Sequence, residues 1–168
     1  MKRFIILILE ILVLFIIQST MFHYIALLNI MPNLLLIIVV SMAYINGRNY
    51  GMLTGFIVGL LLDLTFGNLI GLYALIYVTI GFLAGYINAI YSEDDYVLPV
   101  VLIAIGDLFY NFIYYIFEFL LRGKLDVLFY FRRIILPEII YTVLASVFVY
   151  KLIHMINIQL DYGVNREV

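Results

Sequence analysis

Cysteine and tryptophan are both absent from this chain, and proline occurs only 3 times in 168 residues. Without cysteine there can be no disulfide, no thiolate nucleophile and no cysteine-based metal site. Charge is scarce as well. Asp, Glu, Lys and Arg make up 12% of the residues, against about 25% in a soluble globular domain. With 11 acidic and 9 basic residues the net charge is −2, so no basic surface exists to suit nucleic acid. Polar linkers are short throughout, and none is long enough to hold a second domain.

What the chain has instead is apolar surface: 67% of its residues are hydrophobic and the mean hydropathy is +1.18. A membrane-crossing helix needs roughly 20 apolar residues, so this content supplies about five or six crossings. The apolar runs are helix-sized and lack the alternation of a β-barrel strand. The composition therefore predicts an all-α integral membrane protein. The opening Met1-Lys2-Arg3 and the apolar run behind it imitate a signal peptide, but no small-residue cleavage site follows, which predicts a retained first helix.

Polar breaks divide residues 1–168 into six tracts within a single transmembrane domain: about 4–21, 30–45, 50–66, 69–91, 97–121 and 134–156. The excess of Lys and Arg in cytoplasmic segments places Lys2 and Arg3 inside, and six crossings then put both termini in the cytoplasm. Arg48, Lys151 and Arg166 share that side, whereas Arg122, Lys124, Arg132 and Arg133 fall opposite. The latter group lies in an amphipathic stretch, with Leu125, Leu128 and Phe129 at helical spacing. That pattern predicts a short helix along the membrane surface, its cations reaching to headgroups.

The best-organised motif is Gly51-Met-Leu-Thr-Gly55-Phe-Ile-Val-Gly59-Leu-Leu-Leu-Asp63. Three glycines and a carboxylate at four-residue spacing occupy one stripe of a helix. Such a stripe admits a second helix at close range, where van der Waals packing drives association in lipid. It serves packing within the chain or an interface with a partner. Gly67 with Gly71 and Gly81 with Gly85 repeat the spacing. Asp63 is costly in a membrane helix and needs protein or water around it, so it is expected under a facing helix. Glu10, Asp107, Glu118 and Glu138 also lie within the tracts, where Lys151 is the only cation well inside a tract to set against them. No regular spacing links these acids into a proton relay.

Nothing in the sequence assembles a catalytic site. His23 and His154 fall on opposite sides of the membrane, and there is no HExxH, GxSxG or phosphate-binding loop. No cofactor or metal is expected. The aromatic load, 15 Tyr and 13 Phe, reads as interface belts and helix packing, including the run from Tyr110 to Tyr115.

Pro32-Asn33-Leu34-Leu35-Leu36, the glycine stripe ending in Asp63, Gly71-Leu72-Tyr73-Ala74-Leu75 and Arg133-Ile134-Ile135-Leu136-Pro137 occur in an order and spacing that resemble the rod shape-determining MreD family. The likeness extends over essentially the whole chain. One departure is Glu138, directly after Pro137, where a less acidic residue is expected. The resemblance implies a six-helix fold similar to the substrate-capture (S) subunits of energy-coupling-factor transporters. It also implies a non-enzymatic scaffold of the bacterial elongation machinery in the cytoplasmic membrane. Such a scaffold would bind the single-pass protein MreC and support the RodA glycosyltransferase, its transpeptidase and, indirectly, the MreB cytoskeleton. The competing reading is a true vitamin-binding S subunit. Its polar cavity and ordered outer loops are hard to reconcile with short loops near Asn29 and Gly67, and its small-residue docking face with the bulky tract Phe4–Ile17.

Overall fold

The computed structural model describes residues 2–24, 31–67, 71–88, 97–118 and 127–164, all helical apart from short turns. The helices are α1 (Lys2–Tyr24), α2 (Leu34–Asn46), α3 (Arg48–Phe66), α4 (Leu72–Asn88), α5 (Val97–Glu118), the single turn α6 (Val127–Tyr130) and α7 (Leu136–Val164). α1, α3, α5 and the stretch Phe131–Gln159 are each long and apolar enough to cross a membrane, whereas α2 and α4 are shorter apolar helices. The fold is an all-helical membrane bundle. Among the described residues there is no strand.

α2 organises the bundle. Every residue from Leu34 to Tyr44 is buried, and Leu35 to Val40 have no exposed surface at all. A helix that is apolar on every side must be enclosed by others, and α1, α3, α4, α5 and α7 all pack on this one. Cross-links fix the directions. Asn33 meets Thr142 and Asn46 meets Asn157, so α2 and α7 run parallel. At 13 residues, α2 is about 20 Å long, shorter than the roughly 30 Å hydrocarbon core.

The glycine stripe seats α4 on α3. A Cβ at Gly51 would strike the Gly81 carbonyl and Ala43, one at Gly55 the Tyr77 carbonyl, and one at Gly59 the Ala74 backbone. Gly81 and Gly85 return the contact against Gly51 and Arg48. The pairs run in opposite order along the two helices, so α3 and α4 form an antiparallel hairpin with their backbones touching. Gly71 has another role. A Cβ there would meet nothing within 4 Å, and its φ of +97° places it in the left-handed turn that opens α4.

α6 joins α7 through a π-helical turn, Phe131–Ile135, in which the Leu136 N–H donates to the Phe131 carbonyl. Pro137 follows directly. It has no N–H, and its ring clashes with the carbonyl four residues back, so the chain relieves the conflict by widening one turn. The amphipathic surface helix expected around residues 124–133 lies partly outside the described residues. Its described part is helical and runs straight into α7. Arg133 covers the Phe129 ring at 5.6 Å, and at the opposite end of the bundle Arg48 covers Phe82 at 5.5 Å.

The outward surface is apolar. Ile5, Leu9, Leu12 and Ile16 on α1, and Leu144, Phe148, Leu152 and Met155 on α7, are all exposed at helical spacing. These are faces solvated by lipid tails.

Because backbone atoms lie against the stripe, Gly55→Ala and Gly59→Ala should each lower the melting temperature of the detergent-solubilised protein, and the leucine variants should give no folded protein. Gly106→Ala is the internal comparison. Its methyl would meet only side chains, the nearest on Ile80 at 3.2 Å, and its melting temperature should stay close to that of the parent.

Candidate functional site

Asp63 shows how one acid can end a helix and start the next. Its carbonyl accepts the Gly67 N–H that closes α3. Its side chain crosses to α4, where Oδ1 accepts from the Tyr73 N–H and Oδ2 from the Ala74 N–H, both at 3.0 Å. These are donors that the first turn of a helix leaves unpaired, and the helix dipole favours a carboxylate there. Gly71 precedes α4 and accepts the first helical bond from Leu75, but it has no side chain with which to cap. Asp63, 3% exposed, supplies the missing cap from the neighbouring helix. The carboxylate at the end of the glycine stripe therefore caps α4.

Asn33 does the corresponding work for α2 deep inside the bundle. Its Oδ1 accepts from the Leu36 N–H at 3.1 Å and from the Tyr77 hydroxyl at 2.9 Å. Its Nδ2 donates to Asp107 Oδ1 at 3.4 Å, and its backbone N–H donates to the Thr142 hydroxyl at 3.0 Å. Gln18 on α1 accepts the next free donor, the Leu35 N–H, at 3.1 Å. Four other helices, α1, α4, α5 and α7, are thus tied to the first turn of α2. Sequence reasoning did not single out Asn33 as a site residue. The signal was available, since Pro-Asn immediately before an apolar run marks a helix N-cap.

The remaining acids part company. Asp107 is fully buried and bonded by Asn33 and by the Thr142 hydroxyl. Its Oδ2 has no partner among the described residues. Glu138, in the first turn of α7, is bonded by Asn111 and lies close enough to Asp107 for the two carboxyls to interact electrostatically. Asn111 also donates to the Asp107 carbonyl one turn back on α5 at 3.0 Å. Glu10 lies at the other end of the bundle. It is 8% exposed and neither of its oxygens has a partner among the described residues. It borders a void of about 20 Å³ beside Asn46 and Asn157, the size of one water. The Glu118 side chain lies outside the described residues.

Above the first turn of α2 the bundle opens into a cavity of about 590 Å³. Its position follows from the shortness of α2, which begins well below the ends of its neighbours. Pro32, Asn33 and Leu35 form the floor, Phe15 and Gln18 come from α1, and Leu62 and Phe66 come from α3. Tyr73, Tyr77, Tyr110 and Glu138 complete the wall. The cavity lies at the end of the bundle opposite Arg3 and Arg48. Tyr110, in the run read as interface and packing, stacks with Tyr73 and Tyr114 and also lies at the cavity. Helical spacing cannot distinguish a ring that fills a core from one that faces a void in it.

Among the described residues no group of three or more His, Asp or Glu could hold a metal ion. His23 belongs to the last turn of α1 and His154 to the far half of α7, stacked on Tyr150 at 5.8 Å.

Two substitutions test the caps. Asp63→Ala strips two charge-assisted bonds from buried donors and should cost about 2–4 kcal/mol. Asp63→Asn keeps one acceptor and should lose less than half of that. Asn33→Ala should lower the melting temperature at least as far as Asp63→Ala, because it unpairs groups on three helices. Thermal unfolding in one detergent ranks all three, and equal stability of the Asp63 variants would remove the capping role.

The family model described as rod shape-determining protein MreD matches residues 1–158. No curated protein and no solved structure matches the chain.

Proposed function

The chain belongs to the MreD family of rod shape-determining proteins, and on that premise we propose that it is a non-catalytic membrane scaffold of the bacterial elongation machinery. In this role it binds a single-pass MreC-type protein and supports lateral peptidoglycan synthesis by a RodA-type glycosyltransferase and its transpeptidase, with the MreB cytoskeleton as an indirect partner. It resides in the cytoplasmic membrane with both termini inside.

The observation that carries this reading is the family match over residues 1–158. The architecture agrees with it. The buried polar groups are largely spent on helix caps and cross-links, at Asp63, Asn33 and Thr142. The outward faces of α1 and α7 offer continuous apolar surface on which another membrane helix could pack. In lipid such contacts form by close fit and not by expulsion of water.

A second reading is favoured by one observation, the cavity. A volume of about 590 Å³ lies within the range of small-molecule sites, so capture of a small molecule for a transporter is the alternative.

Purification from native membranes under mild detergent separates the two. The scaffold should retain an MreC-type protein, and its depletion in a rod-shaped host should give rounded cells. Rods of normal shape after complete depletion, or recovery of transporter ATPase subunits, would reject the scaffold reading.

A further inference from the structure

The wall of the cavity has a chemistry that its size does not convey. Tyr110 lies 5.6 Å from Tyr77 and 6.3 Å from Tyr73, centroid to centroid, so three rings make one continuous aromatic surface. Among the described residues of the lining, Glu138 is the one that carries an acid or a base other than tyrosine, and none is Lys, Arg or His. Behind it stands Asp107, fully buried, with Oδ2 unpartnered among the described residues. Among the described residues the cavity therefore presents one carboxyl group, with a second close behind it, and the negative faces of aromatic rings, and no cation.

Three classes of occupant can be compared on that wall. An anion would meet the Glu138 carboxyl, with Asp107 close behind it, in a medium where like charges repel strongly. A neutral apolar molecule would fill the space but offer no polar group to the Glu138 carboxyl that borders it, which is costly where water is displaced. A metal ion needs several converging oxygen or nitrogen ligands, and three aromatic faces are not such a set. A positive charge on an organic body is attracted both by the carboxyl and by the ring quadrupoles.

We propose that the cavity binds an organic cation, an ammonium or guanidinium group on an apolar body. Its charge lies against Glu138 and its body along the Tyr73, Tyr77 and Tyr110 rings. The cation is either a free small molecule or a Lys or Arg side chain of a partner protein. The inference stands apart from the scaffold reading, since it is tested on the isolated protein and not through cell shape.

The full chain, purified in nanodiscs of phosphatidylcholine, is titrated with cyclohexylmethylammonium, cyclohexylmethylguanidinium and the neutral cyclohexylmethanol. These probes are transparent where tyrosine absorbs, and the chain has 15 Tyr and no Trp, so tyrosine fluorescence reports on the wall directly. The two cations should bind saturably and about tenfold more tightly than the alcohol. Glu138→Gln should abolish that preference, Tyr110→Leu should weaken the cations more than the alcohol, and Glu10→Gln, at the opposite end, should change nothing. Two results would overturn the proposal: equal binding of alcohol and ammonium, or a cation preference that survives both Glu138→Gln and Tyr110→Leu. Repeating the titration on the protein purified with its membrane partner identifies the source. Competition between ammonium and partner assigns the cation to a partner side chain, and binding unaffected by the partner assigns it to a free molecule.

Discussion

The structure depends on keeping a wholly apolar helix, α2, out of lipid and starting it well inside the protein. Burial on all sides requires neighbours on all sides, so α1, α3, α4, α5 and α7 are arranged around it. Starting a helix in a dry interior also leaves backbone donors that water cannot reach. Asn33 and Gln18 meet them, and the same Asn33 side chain engages Tyr77 and Asp107. Helices far apart in sequence are thereby joined at one point. In a membrane, where apolar burial gives little preference for one packing over another, such a polar node specifies the arrangement.

The α3–α4 hairpin solves a second version of the problem. Backbone contact along Gly51, Gly55 and Gly59 brings the end of α3 beside the start of α4. Asp63 can then reach the Tyr73 and Ala74 N–H groups. Glycine stripe and carboxylate act as one device: the stripe sets the distance and the acid fixes the register. An aspartate that would be expensive against lipid is stabilised here by two donors and a helix dipole.

The two ends of the bundle differ for a reason already present in α2. Where that helix begins short of its neighbours, α1, α3, α4, α5 and α7 enclose a cavity walled by tyrosines and Glu138. At the other end Asn46 and Asn157 bond across the helices at 3.2 Å and leave only a small void beside Glu10. A protein that works with membrane partners can thus expose smooth apolar helices to lipid and still keep one chemically distinctive surface at a single end.

The membrane class, the helical architecture and the glycine register were legible in the residues, because each is a local property. Lipid demands helix-length apolar runs, and four-residue spacing places Gly51, Gly55, Gly59 and Asp63 on one face whatever lies opposite. What lies opposite is not local. That Asp63 caps α4, that Gly71 serves a left-handed turn and not a packing contact, and that Tyr110 borders a void depend on how helices distant in sequence are juxtaposed. The cavity was the least legible feature. It arises because a 13-residue helix stands among longer ones, and sequence alone gives the lengths but not which helix occupies the centre. The sequence by itself determined what each helix is made of. The tertiary structure decided which polar groups are satisfied, which remain open and where empty space is enclosed, because those depend on the atoms that neighbouring helices bring within a few ångströms.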